Sequence, residues 1–533
     1  MQGSIPRPGI ARRLGRGAAI AATLSLALAG TAGPAAAQDG MDVLKVGTTA
    51  TITTWDPVKS FSTEALYMAN MYEPLLYATP EGSAEDFAPA LATDWSVSDD
   101  GLTWTFDLRE GVTFHDGEPF NAEAAKASID AARDRAGASW IWWPVTEVNA
   151  VDEYTLDIVL STPAAIDLIA ASTYAAWMVS PKALEAAAED ENYFETAGQS
   201  FGTGPYMLED YTPDTEVLLT AFPDYWGGWD DVNHYEKVLF TIADAVGQQQ
   251  ALDGGQIDLA LRVPAESIDD YEANPDFDVV RDPSMFNYVG LLNTQNPPLD
   301  DPLVRQALAY ATPYSDIIEV AVQGEGTQDR AGVPIGVFPY DESVPVYETD
   351  MDMAKELMAQ AGVDGFDMEI TYTAENTLEQ AFAPLLQDAY SQLGVNVTLT
   401  PMPWGQQWDR AKGDPEGRQD MFVVLYWPTY SDAGSDNLAS LFKSSDEPFF
   451  NLSYWQNDVF DGLVDEGIAL TGTDRAAAQE AYTAAMNLLV DESPGIFFFD
   501  TQEVVPVPTS IEGYQYNINY PFSQFMYPLH PAQ

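Results

Sequence analysis

Residues 106–124 read FDLREGVTFHDGEPFNAEA. Just upstream, Trp104, Phe106 and Leu108 alternate with Thr103, Thr105 and Asp107, the two-residue period of a strand buried on one face. Glu110-Gly111 turns the chain, and Phe114 and Phe120 flank the HDGEP turn as its expected anchors. Asn121 then reads as the N-cap of a helix over AEAAKASIDAARDRAG, with Glu123 in its first turn. His115, one of only three histidines, therefore falls in a tight strand-to-helix corner. Whether it is a ligand, a catalyst or scaffold decides whether this protein does chemistry.

Working outward, Asp99-Asp100-Gly101 between alternating runs signals a hairpin. Asp42 to Thr48 reads as a strand. STEALYMANMYEPLLYATPEG reads as a helix with Leu66, Ala69 and Tyr72 on one face, then a short strand and a Pro-Glu-Gly turn. Downstream, VNAVDEYTLDIVLSTP gives two strands and SPKALEAAAED a helix. DAVGQQQALDGGQIDLAL gives a helix followed by a buried strand. DPLVRQALAYATPYSDIIEVAV is helical with a break at Pro313, and LEQAFAPLLQDAYSQLGVNVTLTPMP continues the alternation of helix and strand. DRAAAQEAYTAAMNLLVDESPGIFFFD is a long helix, a turn and a buried strand, so α/β or α+β lobes are expected.

A chain of 533 residues exceeds one core, and 46% hydrophobic residues with 13 tryptophans exclude a disordered protein. Residues 1–37 read as a secretory leader: Arg7, Arg12, Arg13 and Arg16, then AAIAATLSLALAG, then Ala35 and Ala37 before a cut that leaves Gln38 first. ARRLGRG is a poor twin-arginine match, so ordinary secretion is expected. No other stretch is long enough to span a bilayer. The absence of cysteine excludes disulfides, thiol catalysis, Cys–zinc sites and a lipidated cysteine at the cut, so a free periplasmic protein is expected. The formal charge of −61 excludes nucleic acid and anionic lipid as partners, and suits a salty habitat.

The residues point away from catalysis. His115, His234 and His530 have no metal-ligand spacing, and HExxH and GxSxG are absent. With 83 acidic residues, paired carboxylates arise by chance. Gly202-Thr203-Gly204-Pro205-Tyr206 lacks the Gly-Lys-Ser/Thr of a phosphate loop, and Pro205 removes a donor, so a tight backbone crossing between lobes is expected. Aromatic loops are more informative. Trp140, Trp142 and Trp143 crowd one loop, Trp404 and Trp408 flank a helix start, and LYWPTYSDAGSDNL sets Tyr426, Trp427 and Tyr430 beside Asp432 and Asp436. Rings with an acid suit the wall of a ligand cleft, because rings supply contact area and an acid pairs a cation.

MYEPLLY, PALATDWSVSDDGLTWTFDLREGVTFHDGEPFNAEAAKASI, FGTGPYMLEDYTPDTEVLLTAFPDYWGG, LDGGQIDLA, DDPLVRQALAYA and FFNLSYWQNDVFDGLVDEG occur in this order. In order and spacing they resemble the family 5 extracellular solute-binding proteins of ABC importers, the dipeptide-, oligopeptide- and nickel-binding group. The resemblance implies a periplasmic-binding-protein-like α/β fold of cluster C type: two large lobes with a hinge plus an extra inserted domain. Lobe I would take 41–75, 202–282 and 505–533, domain II 76–201, and lobe III 283–504. His115 and Arg305 would be scaffold. Ligand would bind between lobes I and III, with hinge closure and delivery to a membrane permease, and with no catalytic residue, metal or cofactor.

Asp432 is the best match to the aspartate that takes a peptide's ammonium in this family, although Ala433 replaces the usual proline and Asp436 adds a second acid. TPYSD stands where the family usually has IDR. Tyr288, Trp404, Trp427 and Tyr430 would line the cleft and Asn293 would hydrogen-bond, with Arg262, Arg410 and Lys412 as candidates for a ligand carboxylate. The expected solute is a short peptide or related amine-bearing molecule and the expected state a monomer. A nickel chelate, opine or oligosaccharide is the alternative cargo. A secreted hydrolase and a chaperone-like binder are the competing classes.

Overall fold

The computed structural model describes residues 43–80, 83, 85–135, 137–445 and 449–532. The expected leader, Asp42 and the Glu81-Gly82 turn lie outside them. The described chain is α/β with three main sheets. The first has five strands in the spatial order Leu259–Ala260, Val43–Thr48, Lys237–Ile242, Glu216–Ala221, Tyr206–Thr212. Val43–Thr48 is parallel to both neighbours, and the helix Ala245–Asp253 supplies the crossover between them. The second sheet is antiparallel: Ala92–Val97, Thr103–Leu108, Thr155–Leu160, Val145–Ala150. These two sheets share one hydrophobic core, in which Leu44, Tyr67, Phe106, Trp142 and Phe240 pack with Tyr520 and Met526 from the C-terminal segment.

The third sheet orders Gly326–Thr327, Gly495–Pro508, Phe277–Leu292, Met421–Tyr426, Asp367–Thr373 and Asn396–Met402. Two neighbouring interior strands, Phe277–Leu292 and Gly495–Pro508, are unusually long, 16 and 14 residues. They pair antiparallel from Phe277 opposite Pro508 to Leu291 opposite Gly495, and the register shifts between Pro283 and Asn287 and again between Tyr288 and Val289. At the second shift Phe498 is the extra residue, so Phe498 and Phe499 both enter the core on one face while Phe497 enters the other. One end of the ladder, Val505 and Val507, belongs to the core of the first two sheets; the other end belongs to the cores flanking the third. The long pair thus joins two bodies. Among the described residues no helix is long and apolar enough to cross a membrane.

The corner at His115 forms as its residues dictate. Thr103–Leu108 alternates in burial, Phe114 and Phe120 are fully buried with ring centroids 6.0 Å apart, and the Asn121 side chain accepts from the Ala124 amide at 3.0 Å. The helix ends at Asp134, earlier than the alanine-rich run suggests. Tyr72 does not belong to its predicted helix, Ala65–Met71, but caps it in extended conformation. His115 is a clamp: one ring nitrogen lies 2.8 Å from Ser200 Oγ, the other 2.9 Å from the Gly204 carbonyl, and its own amide donates to the Gly202 carbonyl. Burial lowers its pKa to about 4, so it is neutral, with Nε2–H donating to Gly204. Arg305 is likewise buried, holding the carbonyls of Glu492 and Leu299.

The Gly202-Thr203-Gly204 loop crosses the backbone at Met71, within the first body rather than between two. A Cβ at Gly202 would sit 2.1 Å from the Met71 carbonyl oxygen, so no side chain fits. Glu73, fully buried just beyond, gathers the surrounding motifs. Its carboxyl accepts from Thr203 Oγ1 and Trp226 Nε1, both at 2.8 Å, and from the Tyr225 hydroxyl at 3.0 Å. Burial pushes its pKa up to about 7 against those hydrogen bonds.

Two outcomes follow. Gly202→Ala should cost more than about 3 kcal/mol, read as a fall in urea midpoint, because backbone must move to admit the methyl. Glu73 binds its proton more tightly folded than unfolded, so its contribution is complete below about pH 4.5 and is lost as pH rises to about 7. The loss is on the order of 3 kcal/mol. Glu73→Gln should flatten the fall in melting temperature over that window relative to the wild type; an unchanged slope would show that Glu73 does not titrate there.

Candidate ligand-binding site

Between the two bodies lie two adjoining cavities. The larger, about 670 Å³, falls in the range of about 300–1,000 Å³ usual for small-molecule sites. Phe61 and Trp140 come from the first body. The second body supplies Trp404 and Trp408 from the helix Trp404–Ala411, the end of the strand Met421–Tyr426 with Trp427, and Phe449 and Phe450. Trp404 stacks on Trp408 at 5.5 Å and is 42% exposed, an open ring face on a cavity wall. Trp140 meets Phe61 edge-on at 5.0 Å, while its neighbour Trp142 is sunk in the core with its indole N–H on the Ala175 carbonyl.

Among the described residues the ionisable groups of this cavity, apart from the Tyr426 phenol, are two carboxyls, Asp436 and Glu379. Asp436 lies in a π-helical turn, Gly434–Leu438, closed by the Leu438 amide on the Ala433 carbonyl. Its oxygens accept from the Thr429 amide at 2.6 Å and the Tyr426 hydroxyl at 3.1 Å. Glu379 stands in the first turn of the helix Thr377–Ser391, capped by Asn376, and reaches back to the Thr373 amide at 2.6 Å. Burial raises both: Glu379 to about 7 and Asp436 above the usual aspartate range, each opposed by hydrogen bonds.

The second cavity, about 560 Å³, shares Leu425 with the first. Thr49, Thr63 and Arg262 line it from one side, and Phe286, Tyr288, Thr377 and Glu503 from the other. Arg262 is more than half exposed and lies 3.5 Å from Glu503, whose pKa burial raises and Arg262 lowers. Phe286, Trp427 and Phe522 form a ring cluster with centroids 4.7–5.7 Å apart beside both cavities.

The sequence-predicted residues therefore divide. Trp404 and Trp427 line the first cavity; Arg262 and Tyr288 line the second, with the Tyr288 ring stacked 4.8 Å from Phe499 and its hydroxyl beside Asn376. Asp432 does not line either cavity. Its carboxyl caps the π turn, accepting from the Gly434 and Ser435 amides at 2.9 and 3.0 Å, and burial pushes its pKa up to about 6. Tyr430 is buried in the core of the first body with its hydroxyl on Ser435. Asn293 is buried on the Gln419 carbonyl, and Arg410 is paired with Glu369 across two hydrogen bonds. Lys412 leans on the Trp408 and Phe449 rings at 4.8 and 5.1 Å. Phe61, Phe449, Phe450 and Glu379 were not singled out in the sequence, because only the fold brings them to Trp427.

The bodies also touch directly. Ser172 Oγ donates to the Thr429 carbonyl at 3.1 Å, and Arg475 pairs with Asp167 at 2.7 Å and Asp86 at 3.0 Å. The histidines have separate partners: His234 binds Asp231 and the Tyr527 carbonyl, whereas His115 binds Ser200 and Gly204. Among the described residues no cluster of three or more His, Cys, Asp or Glu is placed to hold a metal.

Comparison with known proteins agrees with this architecture. Residues 86–448 match the model of the bacterial extracellular solute-binding proteins, family 5. The glutathione-binding protein GsiB of Escherichia coli strain K12 is 29% identical over 418 residues, 76% of this chain and 79% of that protein. Among solved structures, HbpA2 from Haemophilus parasuis superposes with a TM-score of 0.79 at 24% identity, covering 92% of this chain and 100% of that one. The periplasmic binding protein DppA from Helicobacter pylori, solved with the peptide STSA, gives 0.74 at 24% identity over 92% and 98%. The fold is that of a periplasmic binding protein, and the chain belongs to the family 5 bacterial extracellular solute-binding proteins.

Proposed function

We propose that this protein is the solute-capturing component of an ABC importer, holding a short peptide or a related amine-bearing solute between its two bodies and passing it to a membrane permease. The observation that carries the reading is the larger cavity: it is walled from both bodies, and those bodies are joined by a pair of long strands whose ladder breaks at Pro283–Asn287. A break in the ladder is a place where the pair can bend, so opening and closing would admit and release solute without chemistry on it. On this reading lobe I and domain II are the first body, lobe III the second, and the protein works as a periplasmic monomer without lipid anchor or cofactor.

Within the site, Asp436 rather than Asp432 takes the role of amine partner, because Asp436 lines the cavity while Asp432 holds the turn that presents it. Arg262 is the residue available to a ligand carboxylate in the second cavity.

Native mass spectrometry on protein purified from the periplasm, followed by denaturing release, tests this directly. A bound passenger of low mass that leaves on denaturation supports solute capture. Steady turnover of a peptide or glycoside, lost on substitution of a carboxylate, would replace it with a hydrolase. A second test uses the contact between the bodies. Arg475→Ala removes the ion pairs to Asp86 and Asp167 and should weaken the released passenger's affinity about three- to tenfold, chiefly through faster dissociation. Unchanged dissociation would show that these pairs take no part in closure.

A further inference from the structure

The larger cavity also says what kind of solute it takes, an inference that rests on the solute-capture reading above. Eight of its lining side chains are aromatic: Phe61, Trp140, Trp404, Trp408, Tyr426, Trp427, Phe449 and Phe450. Among the described residues no arginine, lysine or histidine lines it. Of the nearby basic residues, Arg410 is paired with Glu369 and Lys412 rests on the Trp408 and Phe449 rings. A ligand carboxylate buried here would meet Asp436 and Glu379 with no cation to pair it, a costly arrangement.

A cation meets the opposite situation. Asp436 accepts from the Thr429 amide, the Tyr426 hydroxyl and, at 3.5 Å, the Ser440 hydroxyl, and Glu379 accepts from the Thr373 amide and the Asn376 side chain; a carboxylate has about four acceptor sites, so each group keeps room for a further donor. Ring faces add cation–π attraction, and Lys412 shows that these same rings already take an ammonium.

We propose that the cavity between Trp404, Trp427 and Asp436 selects a hydrophobic organic cation, an amine carrying an aromatic or similarly bulky apolar group, and does not require a carboxylate on its ligand. A peptide would satisfy it through an N-terminal residue with a large apolar side chain, its carboxylate lying outside, toward Arg262 in the second cavity. The selectivity is a difference between ligands: the rings accept any apolar body, and the acids reject an anionic one.

Calorimetry with four probes tests this on the intact mature protein: tryptophanamide (aromatic and cationic), N-acetyltryptophanamide (aromatic and neutral), indole-3-propionate (aromatic and anionic) and glycylglycine (zwitterionic, without a ring). Tryptophanamide should bind at least about tenfold tighter than each of the others. Asp436→Asn should remove most of the preference for tryptophanamide over its N-acetyl analogue. Trp404→Ala, at a partly exposed position where folding is not at stake, should weaken both aromatic probes severalfold and leave that preference intact. Equal or tighter binding of indole-3-propionate or glycylglycine, or no saturable binding of tryptophanamide, would overturn the inference. The passenger released from native protein then separates the two readings: an anionic or ring-free passenger leaves solute capture standing without this selectivity, and no passenger together with turnover removes both.

Discussion

One carboxyl with no access to water organises the first body. Glu73 sits at the end of a helix that is buried on every side, and a carboxyl so placed is tolerated only if its oxygens are met. Thr203, Tyr225 and Trp226 meet them, from segments some 130 to 150 residues away in the chain. The same crossing needs glycine at 202 and 204, and the crossing loop in turn gives His115 its two carbonyls. The motifs MYEP, FGTGPY, DYWGG and VTFHDG are therefore one polar knot inside an apolar core. The answer to the question raised by the lone histidine is geometric: it is held neutral and spent on backbone.

The cleft obeys a different economy. Its rings come from both bodies, its acids from one, and the two acids are embedded in the local structure that positions them: Glu379 in a helix cap, Asp436 in a π turn. Their hydrogen bonds hold the carboxyls in place before any solute arrives, so a bound cation would not have to order them, which is the usual cost of recruiting flexible side chains. The large acidic excess of the chain acts at longer range and in the same sense, drawing cations toward the molecule and repelling anions, an effect that salt weakens.

Local signals carried most of the element pattern. The hairpin at Asp99-Asp100-Gly101, the cap at Asn121 and the break at Pro313 each depend on neighbours within a few residues, and each is legible as sequence. The strand Phe277–Leu292 is not: FDVVRDPSMFNYVGLL has a proline in its midst and no clean two-residue period, because it changes environment from one body to the next and carries the register shift where it does so. The aromatic and acidic lining of the candidate cavity was legible in kind but not in address. Rings and acids mark the Tyr426–Asp436 loop as a wall, yet two aspartates four residues apart are equivalent on paper. In the fold Asp432 holds backbone amides of the π turn while Asp436 lines the cavity. Phe61, Trp140 and Phe449 reach that cavity only through tertiary packing.

The core of the first body closes on Tyr520, Met526 and Leu529, and the Asn70 side chain, near the start of the chain, bonds to the Gln524 carbonyl and the Met526 amide near its end. A chain made from its N-terminus therefore cannot complete its first core until its last residues are available, whereas the core on one face of the third sheet draws its buried residues from 288–499. The early segments must wait for their last partners, which makes the long-range closure of the first body a late event.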